Sequence, residues 1–568
     1  MNSMIFFLVM RRMRRPLLVL LTVYSIAGVG MTLIPDINNE RMSFFHAFYF
    51  VSYMGTTIGF GEIPHEFTDL QRMWVTISLY MTVISWFYAI TGLIKLLQDD
   101  ALQNVLTENS FENAVKKIKE PFYIICGYGD TGTALVSALT ERALGTIVIE
   151  SNPDRLNHLI LENYSVHIPA LCADASKPEN LQVALNNENC AGVVAITDDN
   201  IANLHIAISS KLLKPKLTII GRADSEKIAN NMLAFGSDYV IDPFEIFAEK
   251  LHYALHASML LTLRECLTRH KCFSDCKTLK PPKQGLWIVC SYGRFGKAVY
   301  EEFKTEKNIH IIVIEANPDE TGYPRGECIV GRGTEVDTLQ QAQIEDAVGI
   351  VVGTNDDVTN LSIIMLARKL NPSLFIVIRQ NNATNQIIFD AAGADIVMQA
   401  SNIIANYIRV LLTNPLLEDF LDLLTKSYDY KLVLKLINYL QNTLGNTIPI
   451  TWQMSITTKE SPVLWQAIEK GQVINLGYLR KDPRDRDSRL AVVALLLRRG
   501  DKTILLPKND EVLAPNDQIL WCSKKGAATW MKWCWYDHLV LTYLVTGEMP
   551  PRTYIGRWLE KKFAYGFK

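Results

Sequence analysis

Three stretches near the N-terminus, Pro16–Pro35, Met42–Gly61 and Met73–Ile94, contain no Asp, Glu, Lys or Arg. Each is long enough to cross a hydrocarbon core about 30 Å thick, and nothing of that kind recurs after Lys95. A chain of 568 residues with its apolar runs gathered at one end reads as a membrane part joined to a large water-soluble part. The basic start "RRMRRP" could head a secretory signal, but no small-residue cleavage pattern follows in "MTLIPDINNE". Pro16–Pro35 is therefore read as a retained anchor.

Parity decides the middle stretch. "RRMRR" places the N-terminus inside by the positive-inside rule. Three spans would put the soluble bulk outside together with its ten cysteines, which show no paired framework and fit a reducing compartment. Two spans with a re-entrant middle segment keep the bulk inside. The composition of that segment agrees: "MSFFHAFYFVSYMG" suits a short helix, and "TTIGFGE" an extended return. Each glycine costs roughly 1 kcal/mol in a helix interior relative to Ala, and non-helical backbone at membrane depth survives only where it lines a cavity or is buried in protein. The following "EIPHEFTDLQR" carries Glu62, Glu66 and Asp69 against one Arg, an acidic outer mouth that would concentrate cations.

Span, short helix, "TTIGFGE", span: in this order Thr57, Ile58, Gly59, Phe60 and Gly61 resemble the selectivity filter of potassium channels, whose carbonyl rings replace the hydration shell of potassium ions. Phe60 stands where that filter has Tyr, and Glu62 where it usually has Asp. One such unit lines a quarter of a pore, so the resemblance implies a homotetramer in a lipid bilayer. In the inner span the only glycine is Gly92, where a gating bend is expected, although a role in helix packing fits equally well.

The soluble part repeats itself at an interval of about 160 residues, self-similarity that fixes the architecture before any strand is assigned. "FYIICGYGDTGTALV" (122–136) returns as "LWIVCSYGRFGKAVY" (286–300), and "TIVIESNPD" (146–154) as "IIVIEANPD" (311–319). "GVVAITDDNIANL" (192–204) returns as "GIVVGTNDDVTNL" (349–361), and "AFGSDYVI" as "AAGADIVM". Short β-branched runs alternate with helical stretches in each copy, the pattern of a parallel sheet covered by helices. In the first copy Gly127, Gly129 and Gly132, with Asp130 and Thr131 between the last two, form G-x-G-x-x-G at a strand-to-helix turn. Such glycines permit a tight turn, a close backbone approach to pyrophosphate and close helix–strand packing. Eighteen residues after Gly132 a second strand ends in Glu150, suited to ribose hydroxyls and opposed to a 2′-phosphate. The expected ligand is NAD or an ADP/ATP-type nucleotide. In the second copy Ser291 replaces the first glycine, while Gly293, Arg294, Phe295, Gly296 and Glu315 keep the frame; they are a second candidate site, and an empty or altered copy is the equal alternative.

Both copies resemble RCK domains, the regulators of potassium conductance related to the nucleotide-binding subunits of bacterial potassium uptake systems. The resemblance implies an adenosine contact at Asp174 in "ADAS" and a phosphate-facing Arg222 in "IIGRAD". In the second copy it points to Arg332 in "GRGT", where the family has Asp, and to Arg379 in "VIRQNN". The fold class is an α-helical two-transmembrane pore domain plus α/β tandem Rossmann-like domains with parallel sheets and a small C-terminal α+β lobe. The expected divisions are a pore domain over 1–97, a linker over 98–121, RCK domains over 122–284 and 285–450, the lobe over 451–525 and an extension over 526–568. The helical runs after each copy are expected to be swapped between domains.

Net charge is −2 and charged residues make up 20% of the chain, with no basic excess of the kind nucleic acid requires. Cys266, His270, Cys272 and Cys276 match no structural zinc spacing. The clustered acids of "TDDN" (197–200) and "TNDD" (354–357) are candidates for calcium, though strand-end helix caps are their commoner use; no metal site is assigned. The expected function is a potassium-selective channel of the plasma (inner) membrane, N-terminus and RCK domains cytoplasmic, gated by a nucleotide and with calcium as a further candidate ligand. It is not expected to be an enzyme. The alternatives are a membrane-anchored NAD-dependent oxidoreductase, which leaves the filter without a purpose and lacks a placed general acid among His158, His167 and His205, and a regulatory subunit of a potassium transporter.

Overall fold

The computed structural model describes residues 2–548, apart from 37–38, 57, 59–60, 62–65, 270–271, 273–278 and 428. It forms two compact units, Met1–Ile118 and Lys119–Lys568.

The first unit contains α1 (Asn2–Leu33), α2 (Phe44–Gly55), α3 (Asp69–Leu97) and α4 (Asp100–Lys117). Among the described residues, two helical segments are long and apolar enough to cross a bilayer, Val9–Leu33 and Asp69–Leu97. The twelve residues of α2 reach only about 18 Å at 1.5 Å per residue, too short to span. Caps fix where these helices start. The Ser43 hydroxyl accepts the His46 N–H, and Thr68 and Gln71 form a reciprocal capping box, each satisfying orphan donors of a first turn. Small residues let the helices approach. A Cβ on Gly30 would fall into the Trp74 ring and one on Gly55 into the Tyr24 hydroxyl, while Trp74 Nε1 donates to the Ala27 carbonyl at 3.1 Å. Ala27, Met31, Ala47, Phe50, Tyr53 and Phe67 are buried between them. Leu18, Leu21, Tyr80, Ile84 and Phe87 point outward with more than half of their surface exposed. An apolar surface of that extent is stable against lipid or neighbouring copies, not against water.

In the second unit each sequence repeat forms a six-stranded parallel sheet. The first has order β3-β2-β1-β4-β5-β6, with β1 Phe122–Cys126, β2 Gly145–Glu150, β3 Ala170–Cys172, β4 Cys190–Ala195, β5 Thr218–Arg222 and β6 Tyr239–Ile241. The second repeats this order as β9-β8-β7-β10-β11-β12, from β7 Gly285–Cys290, β8 Ile309–Glu315, β9 Glu327–Val330, β10 Ala347–Val352, β11 Phe375–Gln380 and β12 Ile396–Gln399. The central strands are buried on both faces and read as unbroken apolar runs, "FYIIC" and "LWIVC", as parallel strands under helices must. The first helix of the first copy is α5 (Asp130–Thr140).

The closing helices are exchanged. After β6, α6 (Pro243–His256) and α7 (Ser258–Arg269) leave the first sheet, and α6 packs on α8 (Arg294–Lys304) of the second copy. There Phe247, Leu251 and Leu255 share a core with Trp287, Phe295 and Phe303. After β12, α9 (Ala400–Thr413) returns to the first copy and lies on α5, where Ile404, Ala405 and Ile408 join Ile125, Leu135 and Val136. Next, α10 (Pro415–Ser427) and α11 (Tyr430–Leu444) bundle with α7 beneath a four-stranded sheet built from Ile450–Ser455, Gln518–Ser523, Val492–Arg499 and Lys502–Leu505. The core of this lobe continues past residue 525, because Met531, Cys534, Trp535, Leu541 and Leu544 of α12 (Ala527–Tyr536) and α13 (His538–Thr546) pack against Trp521 and Met454. A boundary at 525 therefore cuts through one hydrophobic core.

The exchange makes a directional prediction. Phe247 is 1% exposed, and Phe247→Ala is expected to cost about 3–5 kcal/mol through the cavity it leaves. Hydrogen exchange should then quicken in β7 and β8 of the second sheet and not in β1 and β2, whereas Ile408→Ala should do the reverse.

Candidate functional site

The turn after β1 is made by the glycines. Gly127 has φ +103°, and a Cβ there would lie 3.1 Å from the Thr197 backbone. A Cβ on Gly132 would run into the Gly127 carbonyl. Gly129 is the N-cap of α5 and brings no capping side chain, so the first turn of the helix faces an open cleft with its positive end. That cleft holds about 410 Å³ and is lined by Gly127, Gly129, Glu150, Arg155, Asp174 and Thr197 among others. It lies at the carboxyl ends of the strands, where the order reverses and doubly wound sheets hold their ligands.

Of the residues expected from sequence, Gly127, Gly129, Glu150 and Asp174 meet in this cleft. Thr131 and Gly132 are buried in the packing of α5. Asp130 turns to the second copy, where its Oδ2 accepts the Ala383 N–H at 3.1 Å. Arg222 stands behind Asp198, paired with it at 3.4 Å and with Asp224 at 3.1 Å. Asp174 is exposed, and its carboxyl is held below its ordinary range by the Ser176 hydroxyl and N–H.

Glu150 is engaged with the backbone around it. It is 4% exposed, and its oxygens accept the Tyr128 N–H at 2.5 Å and the Asn152 N–H at 2.8 Å. Glu315 repeats both bonds with Tyr292 and Asn317 at 2.5 and 2.9 Å. The acid thus braces the glycine turn in both copies, and a carboxylate still keeps lone pairs for a ligand.

Sequence reasoning missed Arg155. Its guanidinium lies 3.2 Å from where a Gly129 Cβ would be and pairs with Asp198 at 3.4 Å, placing a cation at the mouth of the glycine turn. The signal was present in "SNPDR": Asn152 caps the helix that follows, which sets Arg155 in its first turn beside the crevice.

The second copy keeps the turn but not the cleft residues. Ser291 sits at φ +82°, left-handed backbone that a residue with a Cβ adopts at a cost, and its hydroxyl accepts the Gly293 N–H. Phe295 is fully buried against Phe247 and is a core residue. Arg294 pairs with Asp224 of the first copy at 3.1 Å, and both Arg294 and Arg379 stack on Phe244, at 5.0 and 5.1 Å. Burial, then Arg294, push the Arg379 guanidinium down to about 10. Arg332 is exposed on the turn after β9. These residues form an interface between repeats, with Arg332 apart from it. The calcium candidates are engaged as well: Asp199 and Asp356 cap helices, Asp198 pairs with Arg155 and Arg222, and Asp357 accepts the Asn381 and Asn382 N–H groups.

In the membrane unit, Thr57, Gly59 and Phe60 lie outside the described residues, as do His270 and Cys276 in the second unit. The Ile58 N–H donates to the Tyr53 carbonyl at 3.1 Å. The Tyr53 hydroxyl donates to the Gly61 carbonyl at 2.7 Å, where Gly61 has φ +91°. The short helix thus holds both ends of the "TTIGFG" return. Gly92 lies within the unbroken α3, and a Cβ there would be 2.9 Å from Pro16 Cγ.

Two families match this chain. The TrkA-N domain matches 123–243 and again 287–400, and the ion channel family matches 18–99. Among curated relatives, "Potassium channel protein 1" of Methanocaldococcus jannaschii is 28% identical over 41% of this chain and 61% of its own length. "Probable potassium channel protein 2" of the same organism is 25% identical over 36% of this chain and 59% of its own. The chain thus spans about three fifths of these relatives' length. Among solved structures, "GsuK channel bound to NAD" shares 16% identity over 94% of this chain and 99% of its own, with a TM-score of 0.46.

If the carboxylate is a brace, Glu150→Ala and Glu315→Ala should each lower stability by about 1–3 kcal/mol, the cost of buried N–H groups left without an acceptor. Thermal unfolding of the purified chain would show the two losses as similar. A Glu150 that served ligand binding alone would leave the midpoint unchanged.

Proposed function

We propose that this chain, a member of the potassium channels that carry tandem RCK (TrkA-N) domains, conducts potassium through a pore of four copies and opens or closes as a nucleotide binds the first-copy cleft. The observation that carries the pore is the bond from the Tyr53 hydroxyl to the Gly61 carbonyl, at the end of a helix too short to span. It ties Gly61 back to α2 across the stretch whose glycines suit an extended return. Backbone of that kind is tolerated where it lines a conduit, and four copies of Thr57–Gly61 would supply carbonyl rings in place of an ion's water shell. Glu66 and Asp69 flank this return and would draw cations to the mouth. The exposed apolar faces of α1 and α3 suit lipid and neighbouring subunits in the inner membrane, with the N-terminus and RCK domains cytoplasmic.

The ligand reading rests on the cleft. A bare glycine turn, the start of α5 and Arg155 offer N–H groups and a cation to a diphosphate, and Glu150 lies on the ribose side. NAD or ADP fits that combination better than NADP, whose 2′-phosphate would meet Glu150. The second copy then serves as scaffold. Moving a pore from 1% to 99% open takes roughly 5.5 kcal/mol of differential binding. Over four equal sites this is about 1.4 kcal/mol each, an ordinary coupling energy. Neither the cleft nor its neighbours favour an oxidoreductase, since His158, His167 and His205 are exposed and none lines the cleft.

Purified protein in potassium-loaded vesicles tests the pore. Potassium flux is expected to exceed sodium flux at least tenfold in the presence or absence of NAD or ADP, and Gly59→Ala is expected to abolish the preference. Equal fluxes of both ions under every condition would refute it.

A further inference from the structure

Where α6 of the first copy lies along α8 of the second, two histidines and two glutamates face one another. The helices run side by side in the same direction, because Phe244 and Arg294 meet near their starts and His256 and Glu306 near their ends. His252 and His256 are one turn apart in "LHYALH", and Glu302 and Glu306 are spaced the same way in "YEEFKTE". Residues four apart on a helix share a face, which sets His252 and His256 together on α6, while Glu302 lies in the last turn of α8 and Glu306 just past its end. His252 Nδ1 is 2.6 Å from Glu302 Oε1, and His256 Nε2 is 2.5 Å from Glu306 Oε1. The two imidazole rings are 4.5 Å apart. One ligand atom each from His252, His256 and Glu302 falls within 4.8 Å of the others.

We propose that His252, His256 and Glu302 form a site for a divalent transition metal of the zinc type. The donor set decides the metal class. Calcium takes six to eight oxygens, whereas imidazole nitrogens with one carboxylate suit zinc, cobalt or nickel. Zinc bonds of about 2.0–2.1 Å in tetrahedral geometry place ligand atoms about 3.3 Å apart. His252 and Glu302 need separate by less than 1 Å from their present contact to admit an ion between them. Glu306 supplies what such a site needs behind its ligands, a carboxylate that orients an imidazole, or it joins as the fourth ligand. A cavity of about 110 Å³, lined by both histidines and by Asp429, adjoins the imidazoles. The ion would tie the exchanged helix of one repeat to the first helix of the other, at the opposite end from the Phe244–Arg294 contact, and so stiffen the interlock of the two RCK domains. Nothing in the nucleotide cleft takes part.

The test uses the full-length chain without an affinity tag, stripped with chelator and titrated with cobalt or zinc. One zinc per chain is expected by elemental analysis, cobalt should give d–d absorption of nitrogen–oxygen ligation, and zinc should raise the unfolding temperature. His252→Ala and His256→Ala should each weaken binding by about 100-fold and remove the temperature rise, and Glu306→Gln by about tenfold. Unchanged binding in both histidine variants would overturn the proposal. The wild-type protein decides alone if a variant misfolds: absence of bound metal, or thiolate charge-transfer bands from cobalt on the cysteines, overturns the site, and nitrogen–oxygen bands at one ion per chain support it.

Discussion

Neither Rossmann-like repeat has a complete core without the last helix of the other. Phe247 and Leu251 reach the second sheet from the first copy, and Ile404 and Ile408 reach the first sheet from the second. Burial of aliphatic and aromatic side chains is the dominant favourable term in folding, so each copy draws part of its stability from the other. The second copy, with its altered glycine motif, thus has a structural part in the chain. Its work is to complete the first copy and to be completed by it.

Within that frame the two glycine turns have diverged while keeping the same carboxylate brace. Glu150 and Glu315 hold their turns through the same pair of backbone donors. What differs is the side chains around the turn. The first copy has Gly127, Asp130 and Thr131 where the second has Ser291, Arg294 and Phe295. Phe295 fills core, Arg294 crosses to Asp224, and Ser291 accepts a left-handed backbone. In the first copy the cleft stays open in front of α5, lined by Arg155 and Asp174. One turn has become an interface and the other remains suited to phosphate.

Much of this was legible in the sequence, and the reasons are physical. Uncharged stretches of membrane length, the parity set by "RRMRR" and the glycines of "TTIGFGE" determine a short α2 between two long helices, because bilayers admit few alternatives. Parallel strands announce themselves as buried runs, and the repeat in "VIESNPD" and "VIEANPD" doubles every inference. Side-chain direction was not legible. Glycine spacing could not reveal that Asp130 and Arg294 would turn across an interface, that Arg155 would stand at the cleft mouth, or that His252 would face Glu302 fifty residues away. Such pairings depend on how the exchanged helices cross, which local pattern does not encode. The Trp-rich stretch from residue 530 reads as buried packing, but its apolar pattern does not say which core it joins, and Trp535 and Met531 complete that of the lobe.

The central claim is that occupancy of the first-copy cleft sets the opening of a potassium-selective pore. Single-channel recording in a planar bilayer, with NAD or ADP added to the cytoplasmic face, tests it most directly. The expected result is a reversal potential that follows the potassium gradient and an open probability that changes at least tenfold with nucleotide, a response lost in Gly129→Asp, whose carboxylate would occupy the phosphate side of the turn. Nucleotide responses of equal size in that variant, or currents that ignore the potassium gradient, would contradict it.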